Sequence, residues 1–261
     1  MLLPGNLFRS ALLIFVLLNF SLFTFSQKTD STKVDSHLGG AVTVTNNGIS
    51  FIPNLTLGKP AIVFDLSMGK EKLSFEPQFR FALSGKPWSF VFWWRYKLLE
   101  SEKVKINIGA HPAIAFKTMT FSSDTVSKDA IVAQRYLAVE LAPNYFFTKD
   151  ISLGVYCFYA YGVEKDIVKN TDMFSLRSNF SNIRLSKQFF IRFNPQVYYL
   201  RMDENDGYYF SASLTLAKRS LPFSISGLIN KTIHSKISAS KSFIWNASLI
   251  YSFNNKYTKV L

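Results

Sequence analysis

From about residue 36 onward, apolar and polar side chains alternate with a period of two, the mark of a strand whose two faces meet different surroundings. The clearest segment is 72–84, where Leu73, Phe75, Phe79, Phe81 and Leu83 fall on one face with Pro77 in the same row. Lys72, Ser74, Glu76, Gln78, Arg80 and Ala82 take the other face. Trp88, Phe90, Phe92, Trp94, Tyr96 and Leu98 then alternate with Ser89, Val91, Trp93, Arg95 and Lys97. Val104, Ile106, Ile108, Ala110, Ile114 and Phe116 oppose Lys105, Asn107, His111 and Lys117. The rule persists along the chain. Leu137, Val139 and Leu141 oppose Gln134, Glu140 and Asn144, and Phe189, Ile191, Phe193 and Val197 oppose Arg192, Asn194, Gln196 and Tyr198. In 172–186 the apolar set shifts from Phe174, Leu176 and Phe180 to Ile183 and Leu185, a change of parity that predicts a β-bulge.

Read this way, the chain holds about twelve strands, with boundaries near 36–45, 61–69, 71–83, 87–98, 103–118, 131–147, 150–163, 172–186, 188–201, 207–217, 221–230 and 242–253. Tight connections are expected at Gly69-Lys70, Leu99–Lys103, Thr148-Lys149, Lys187 and Lys218–Ser220. Longer ones alternate with them, near 46–60, 119–130, 164–171, 203–206 and 231–241, with Ser84–Lys86 a short exception. A short additional strand at Ile49–Ile52 would raise the count, and the range runs from eleven to fourteen.

Alternation alone fits a soluble sandwich as well as a barrel. Three features favour a closed barrel in lipid. Several segments exceed 12 residues, whereas soluble strands average about 5–6 and a tilted membrane strand needs about 9–11. An even strand number with short turns at one end and longer loops at the other is the layout of bacterial outer-membrane barrels. Aromatic residues also gather near strand ends, as with Trp88, Tyr145, Phe146, Phe147, Tyr208, Tyr209 and Tyr251, where an interfacial girdle would place them.

Composition agrees. Aromatics make up 16% of the 261 residues and charged residues 18%, below the roughly 25% of soluble domains. An apolar run from Ala11 to Leu18 follows Arg9 and thins out towards Phe25, so residues 1–26 read as an export signal cut after Ser26. Residues 27–35 read as a polar leader, 36–253 as the barrel and 254–261 as a short tail. Beyond the signal no stretch approaches the roughly 18 consecutive apolar residues of a membrane helix. The formal charge of +13 is spread through alternate strand positions instead of being gathered in a patch, which argues against nucleic acid as a partner.

The segment Trp245–Phe253 resembles the C-terminal signature strand of outer-membrane β-barrels, alternating apolar residues and closing on Phe253. It departs from that pattern in being followed by Asn254–Leu261. The resemblance covers architecture along the mature chain and implies an outer-membrane location, a lipid surround and assembly by the barrel-insertion machinery.

Chemistry is sparser. Cys157, the lone cysteine, sits on an apolar face and allows no internal disulfide. His111 is the best candidate base, but Glu76 and Glu140 are expected on strands that do not adjoin its own. No Gly-x-Ser-x-Gly elbow and no paired-His zinc motif accompanies it. It reads as a polar lumen residue. The run Asp203–Gly207 lacks the spacing of a calcium loop and reads as a solvated turn. Nothing in the sequence calls for a cofactor. The expected lumen lining, Glu76, Arg80, Arg95, Lys97, Lys105, His111, Lys117, Glu140 and Arg192, is richer in bases than acids. Basic rings favour anions in pores, so the sequence points to a passive, weakly anion-preferring channel for small solutes. A non-conducting structural or assembly barrel is the alternative, and a lipid-modifying enzyme a more distant one.

Overall fold

A computed structural model describes residues 34–123 and 126–259. Twelve strands run in chain order: β1 Val34–Thr45, β2 Ala61–Lys70, β3 Leu73–Ala82, β4 Pro87–Glu100, β5 Val104–Ser123, β6 Val126–Thr148, β7 Ile151–Gly162, β8 Asn170–Arg184, β9 Phe189–Met202, β10 Asn205–Lys218, β11 Phe223–Ser235 and β12 Phe243–Lys259. Each pairs antiparallel with its sequence neighbours, and β1 pairs with β12, so the sheet closes into a barrel. Closure matters because an open edge would leave a row of backbone N–H and C=O groups unpaired. Among the described residues no helix is long and apolar enough to cross a membrane. The export-signal reading of 1–26 and most of the leader fall outside the described residues.

The closing seam is longer than the pattern predicts. β12 runs past Phe253, and Asn254–Lys259 pairs with Val34–Gly39, so residues expected as a leader end and a tail form the last rungs of the barrel. Phe253 lies opposite Gly40. A Cβ at Gly40 would stand 2.5 Å from the Asp65 carbonyl and 3.0 Å from the Phe253 ring. Glycine is needed here because three strands converge on one point, not for its backbone freedom.

Side chains at alternate positions divide cleanly between the two faces of the wall. Outward-facing residues are apolar and open to the surroundings, as with Leu137, Ile225, Trp245 and Leu249, each more than half exposed. Phe64, Phe81, Phe79, Phe90 and Phe116 form an aromatic band across β2 to β5, with adjacent centroids 5.0–6.3 Å apart in tilted or edge-on geometry. Such pairs contribute roughly 0.5–1.5 kcal/mol each beyond area burial. The inward positions carry the polar row, with His111, Gln134, Glu140, Ser175 and Ser211 all buried.

Three connections differ from expectation. The segment read as a loop at 119–130 instead continues β5 and β6, of 20 and 23 residues, as a two-stranded ribbon. The ribbon rises roughly 25 Å above Ala115, the last β5 residue paired with β4. Alternation weakens there because both ribbon faces meet similar surroundings. The longer loop expected at 203–206 is a tight turn, with Asp203 at φ 52°. No strand forms at Ile49–Ile52; a single 3-10 turn at Pro53–Leu55 follows it. The predicted bulge in β8 is present, as a register shift against β9 between Phe180 and Ile183.

Substituting Gly40 by Val is expected to cost roughly 1–3 kcal/mol through forced displacement of the seam. A lowered urea midpoint for refolded Gly40→Val, with Gly227→Val near wild type because an added Cβ at Gly227 meets only Asn246 O at 3.6 Å, would confirm it. Equal midpoints for the two variants would refute it.

Candidate functional site

The barrel interior changes character along its axis. At the end carrying the longer loops it is apolar. The segment between β1 and β2 folds inward, placing Phe51 and Ile52 against a buried cluster of Met173, Tyr198, Leu200, Met202, Tyr209 and Ile237. Leu55 packs with Val91, Trp93, Ala113, Ala115 and Tyr136. Trp88 holds the segment in place, its Nε1 donating to the Leu55 carbonyl at 2.8 Å. That corrects the girdle expectation for this residue, as burial in the inner apolar cluster does for Tyr209. Trp88 is buried inside the wall because a register shift between β3 and β4 at Arg80/Phe81 breaks the alternation beside it. Gly48 lies flat against its ring, and a Cβ there would approach Trp88 Cζ3 to 3.0 Å.

The neighbouring loop, 163–169, is tethered twice. Arg135 Nε donates to Glu164 Oε1 at 2.7 Å. This hydrogen bond holds the Glu164 carboxyl below the usual carboxylate range. The Asp203 carboxylate accepts from the backbone N–H groups of Lys169 and Asn170 at 2.8–3.1 Å. The acidic run read as a solvated turn therefore also caps the adjoining loop.

Below this apolar layer lies a charged one. Arg95 on β4 donates through Nε to Glu140 Oε1 at 2.6 Å and through Nη2 to Oε2 at 3.3 Å, and through Nη1 to Glu76 on β3. Tyr156 donates to Glu140 Oε2 at 2.7 Å, and Ser74 donates to Glu76 at 2.7 Å. Arg95 reaches Glu140 across β5 because the intervening residue is glycine: Gly109 pairs with Arg95 on one side and with Glu140 on the other. A Cβ at Gly109 would come within 2.9 Å of Glu140 Oε1 and 3.2 Å of Arg95 Cγ. The missing side chain is what lets an ion pair span a strand.

Two further guanidiniums complete the layer. Arg80 donates to Gln78 Oε1 at 2.6 Å and lies over the Trp88 ring at 5.4 Å. Arg177 lies over Tyr156 at 4.6 Å. With Asp65 they line, together with Arg95, His111, Trp93 and Phe158, a cavity of about 560 Å³ in mid-lumen. Asp65 and Arg177 escape the sequence reading for a local reason. The alternation of β2 is nearly all apolar outside Asp65, and the bulge in β8 blurs the parity on which Arg177 would be recognised.

The other predicted lumen residues disperse. Lys97 and Lys105 meet Glu100 at 3.2 and 3.6 Å near the short-turn end, with Lys105 over the Phe146 ring. Arg192 lies over Phe190 in the lower wall. Lys117 stands on the projecting ribbon, two residues past the last rung shared with β4. Thus Arg80, Arg95, His111, Glu76 and Glu140 are brought together, while Lys97, Lys105, Lys117 and Arg192 are not. In the middle layer three guanidiniums, Arg80, Arg95 and Arg177, face three carboxylates, Asp65, Glu76 and Glu140, so charge there is matched instead of basic.

His111 also differs in its setting. Glu140 lies on β6, which does adjoin β5, correcting the expectation that no carboxylate neighbours its strand. The imidazole is buried between Trp93, 4.0 Å away between centroids, and Phe158, 6.3 Å away. Its Nδ1 has no hydrogen-bond partner. Among the described residues no serine and no carboxylate hydrogen-bonds to this ring, so the pairing that would activate a nucleophile is not assembled around it.

No protein-family model and no curated protein matches the sequence. Among solved structures, the chain is similar to the KdgM porin, with TM-score 0.47 and 8% identity over 83% of this chain and 99% of that one. It is also similar to the COG4313 outer membrane channel from Pseudomonas putida F1, with TM-score 0.45 and 7% identity over 88% and 99%. For the NanC porin the values are 0.44 and 11% over 85% and 99%.

Replacing Gly109 by Val is expected to part Arg95 from Glu140 and to cost roughly 1–3 kcal/mol. Glu140→Ala, which leaves the guanidinium with Glu76 alone, belongs in the same range because the site is only partly dry. The double variant measures coupling. A urea-melt cost for the pair well below the sum of the singles is the predicted result, and strict additivity would show that the ion pair contributes nothing.

Proposed function

We propose that the protein is a narrow passive channel of a Gram-negative outer membrane, set in lipid by its apolar exterior and restrained at its loop end by the inward-folded 46–60 segment. The observation that carries this reading is the opposition of two surfaces. A continuous apolar exterior suits a bilayer, while the interior is polar, charged and open enough to hold a cavity of about 560 Å³. A barrel serving only as a wall would have its interior filled by packed side chains. Insertion by the cell's barrel-assembly machinery follows from the alternating closing strand.

The restraint at the loop end has a built hinge. Gly48 N donates to Lys59 O at 2.8 Å, so the base of the segment is closed by backbone hydrogen bonding while Phe51, Ile52 and Leu55 reach into the lumen. Solutes pass when these residues leave their apolar contacts. Because mid-lumen charge is matched, the surplus bases Lys97, Lys105 and Arg192 towards the short-turn end give only a weak preference for anions. A non-conducting structural barrel is the second reading, and the apolar plug itself favours it.

The two readings separate in a planar bilayer under a KCl gradient. The channel reading expects small discrete steps with a reversal potential on the chloride side. It also expects steps several-fold larger when residues 49–58 are replaced by a short Gly-Ser link. Absence of steps in both proteins would transfer the assignment to a structural barrel. Steps that reverse on the potassium side would keep the pore and refute the anion preference.

A further inference from the structure

We infer that the mid-lumen cavity is a binding site for a small organic anion, one carboxylate carried on a flat aromatic body. The inference rests on the channel reading for its physiological meaning, but binding itself is independent of conduction.

Hydrogen-bond accounting within the charged layer carries the inference. A guanidinium presents five N–H donors in a fixed fork that matches a carboxylate. Arg95 places three of its five donors on Glu140 and Glu76, so its fork is already taken by carboxylates of the protein. Arg177 differs. It lines the cavity, its guanidinium rests on the face of Tyr156, and among the described residues it has no hydrogen-bond acceptor. The acceptors nearest Arg177 are committed elsewhere: the Glu140 carboxylate takes Arg95 and Tyr156, and the Gln196 amide oxygen takes Ser175. Arg80 gives one of its five donors to Gln78 and likewise faces the cavity. The wall thus offers one fork that the protein leaves unused, on Arg177, and a second, on Arg80, that it uses only in part and that has Asp65 beside it on the lining.

His111 supplies an independent indication. Its side chain lines the same cavity and is buried, and its Nδ1 has no partner. A buried ring nitrogen left unpaired is costly and calls for an explanation. A polar atom of a bound molecule would provide one.

The rest of the lining fixes the body of the ligand. Trp88, Trp93, Tyr136, Tyr156 and Phe158 contribute flat apolar faces, and Phe158 lies near-parallel to Tyr156 and His111, at interplanar angles of 15° and 25°. Aromatic faces of this kind favour a planar ring. The volume falls within the range of roughly 300–1,000 Å³ usual for small-molecule sites. Phe51, Ile52 and Leu55 of the loop-end plug lie on the cavity lining and narrow its access to water, and a guanidinium–carboxylate contact is stronger there than in bulk solvent. An inorganic anion would use the forks but leave these faces idle, and an aromatic cation would meet three guanidiniums on the lining, Arg80, Arg95 and Arg177, against the single carboxylate of Asp65.

The test is titration calorimetry on the full mature chain, refolded in detergent micelles, with benzoate as probe. Acetate supplies the charge without the ring, and benzyltrimethylammonium the ring with the opposite charge. Saturable benzoate binding, at least tenfold tighter than acetate and with no uptake of the cation, is expected. Arg177→Gln should weaken benzoate at least tenfold. The fold should be retained, because Arg177 holds no ion pair. Arg192→Gln, outside the cavity lining, should leave binding unchanged. Absence of saturable binding, equal affinity for acetate, or an Arg177→Gln variant that binds like wild type would overturn the inference. A conducting protein that does not bind benzoate would defeat this inference and leave the channel reading standing. Binding without conductance would do the reverse.

Discussion

Everything in this molecule depends on the pairing of β1 with β12. A twelve-stranded sheet left open would expose two unpaired edges, and a hydrocarbon surround could satisfy neither. Closing it fixes a tilt and a circumference, and only then do alternate residues acquire distinct destinations. The seam is built where chain is scarce in bulk: Gly40 lets Phe253 and the Asp65 carbonyl approach, and six further residues of β12 extend the pairing beyond the closing aromatic. Small residues at this convergence are a packing requirement.

Closure also creates the problem that the interior solves. Inward-facing polar side chains are drawn away from bulk solvent, so one left without a partner inside the barrel carries a cost. Arg95, Glu76, Glu140 and Tyr156 form one mutually satisfied group, made possible by Gly109 between them. The loop end solves the same problem with apolar residues supplied by the 46–60 and 163–169 connections. Between the two layers lies the cavity, whose guanidiniums are only partly used. Function is most economically placed there, where packing and polar satisfaction are both incomplete.

Much of this was legible in the sequence, and the exceptions have local causes. Strand number, order and the outward apolar rows follow from a period of two that is nearly unbroken from Leu73 to Phe253, because one face of every strand meets the same apolar surroundings. The parity slip near Phe180 correctly announced the β8 bulge. Parity also placed Glu76, Arg80, Arg95, His111 and Glu140 on the inner face. It failed at Trp88, where a register shift turns the ring inward, and at 119–130, where a ribbon standing clear of the barrel has no distinct inner and outer face. What no single-strand pattern contains is who meets whom across strands. That Arg95 is neutralised through a glycine, that Arg177 is not, and that Leu55 returns into the lumen are all consequences of register and loop path.

The central claim is that the apolar face of the wall lies in lipid, and Cys157 reports on it directly. This lone thiol sits on the outward face of β7, between Leu141 and Phe174 in register. In liposomes carrying the folded protein, a charged, water-soluble thiol reagent should leave Cys157 unmodified over a period in which the urea-unfolded chain reacts to completion. Modification in the intact bilayer at the rate of the unfolded chain would show that this face meets water and would contradict the account.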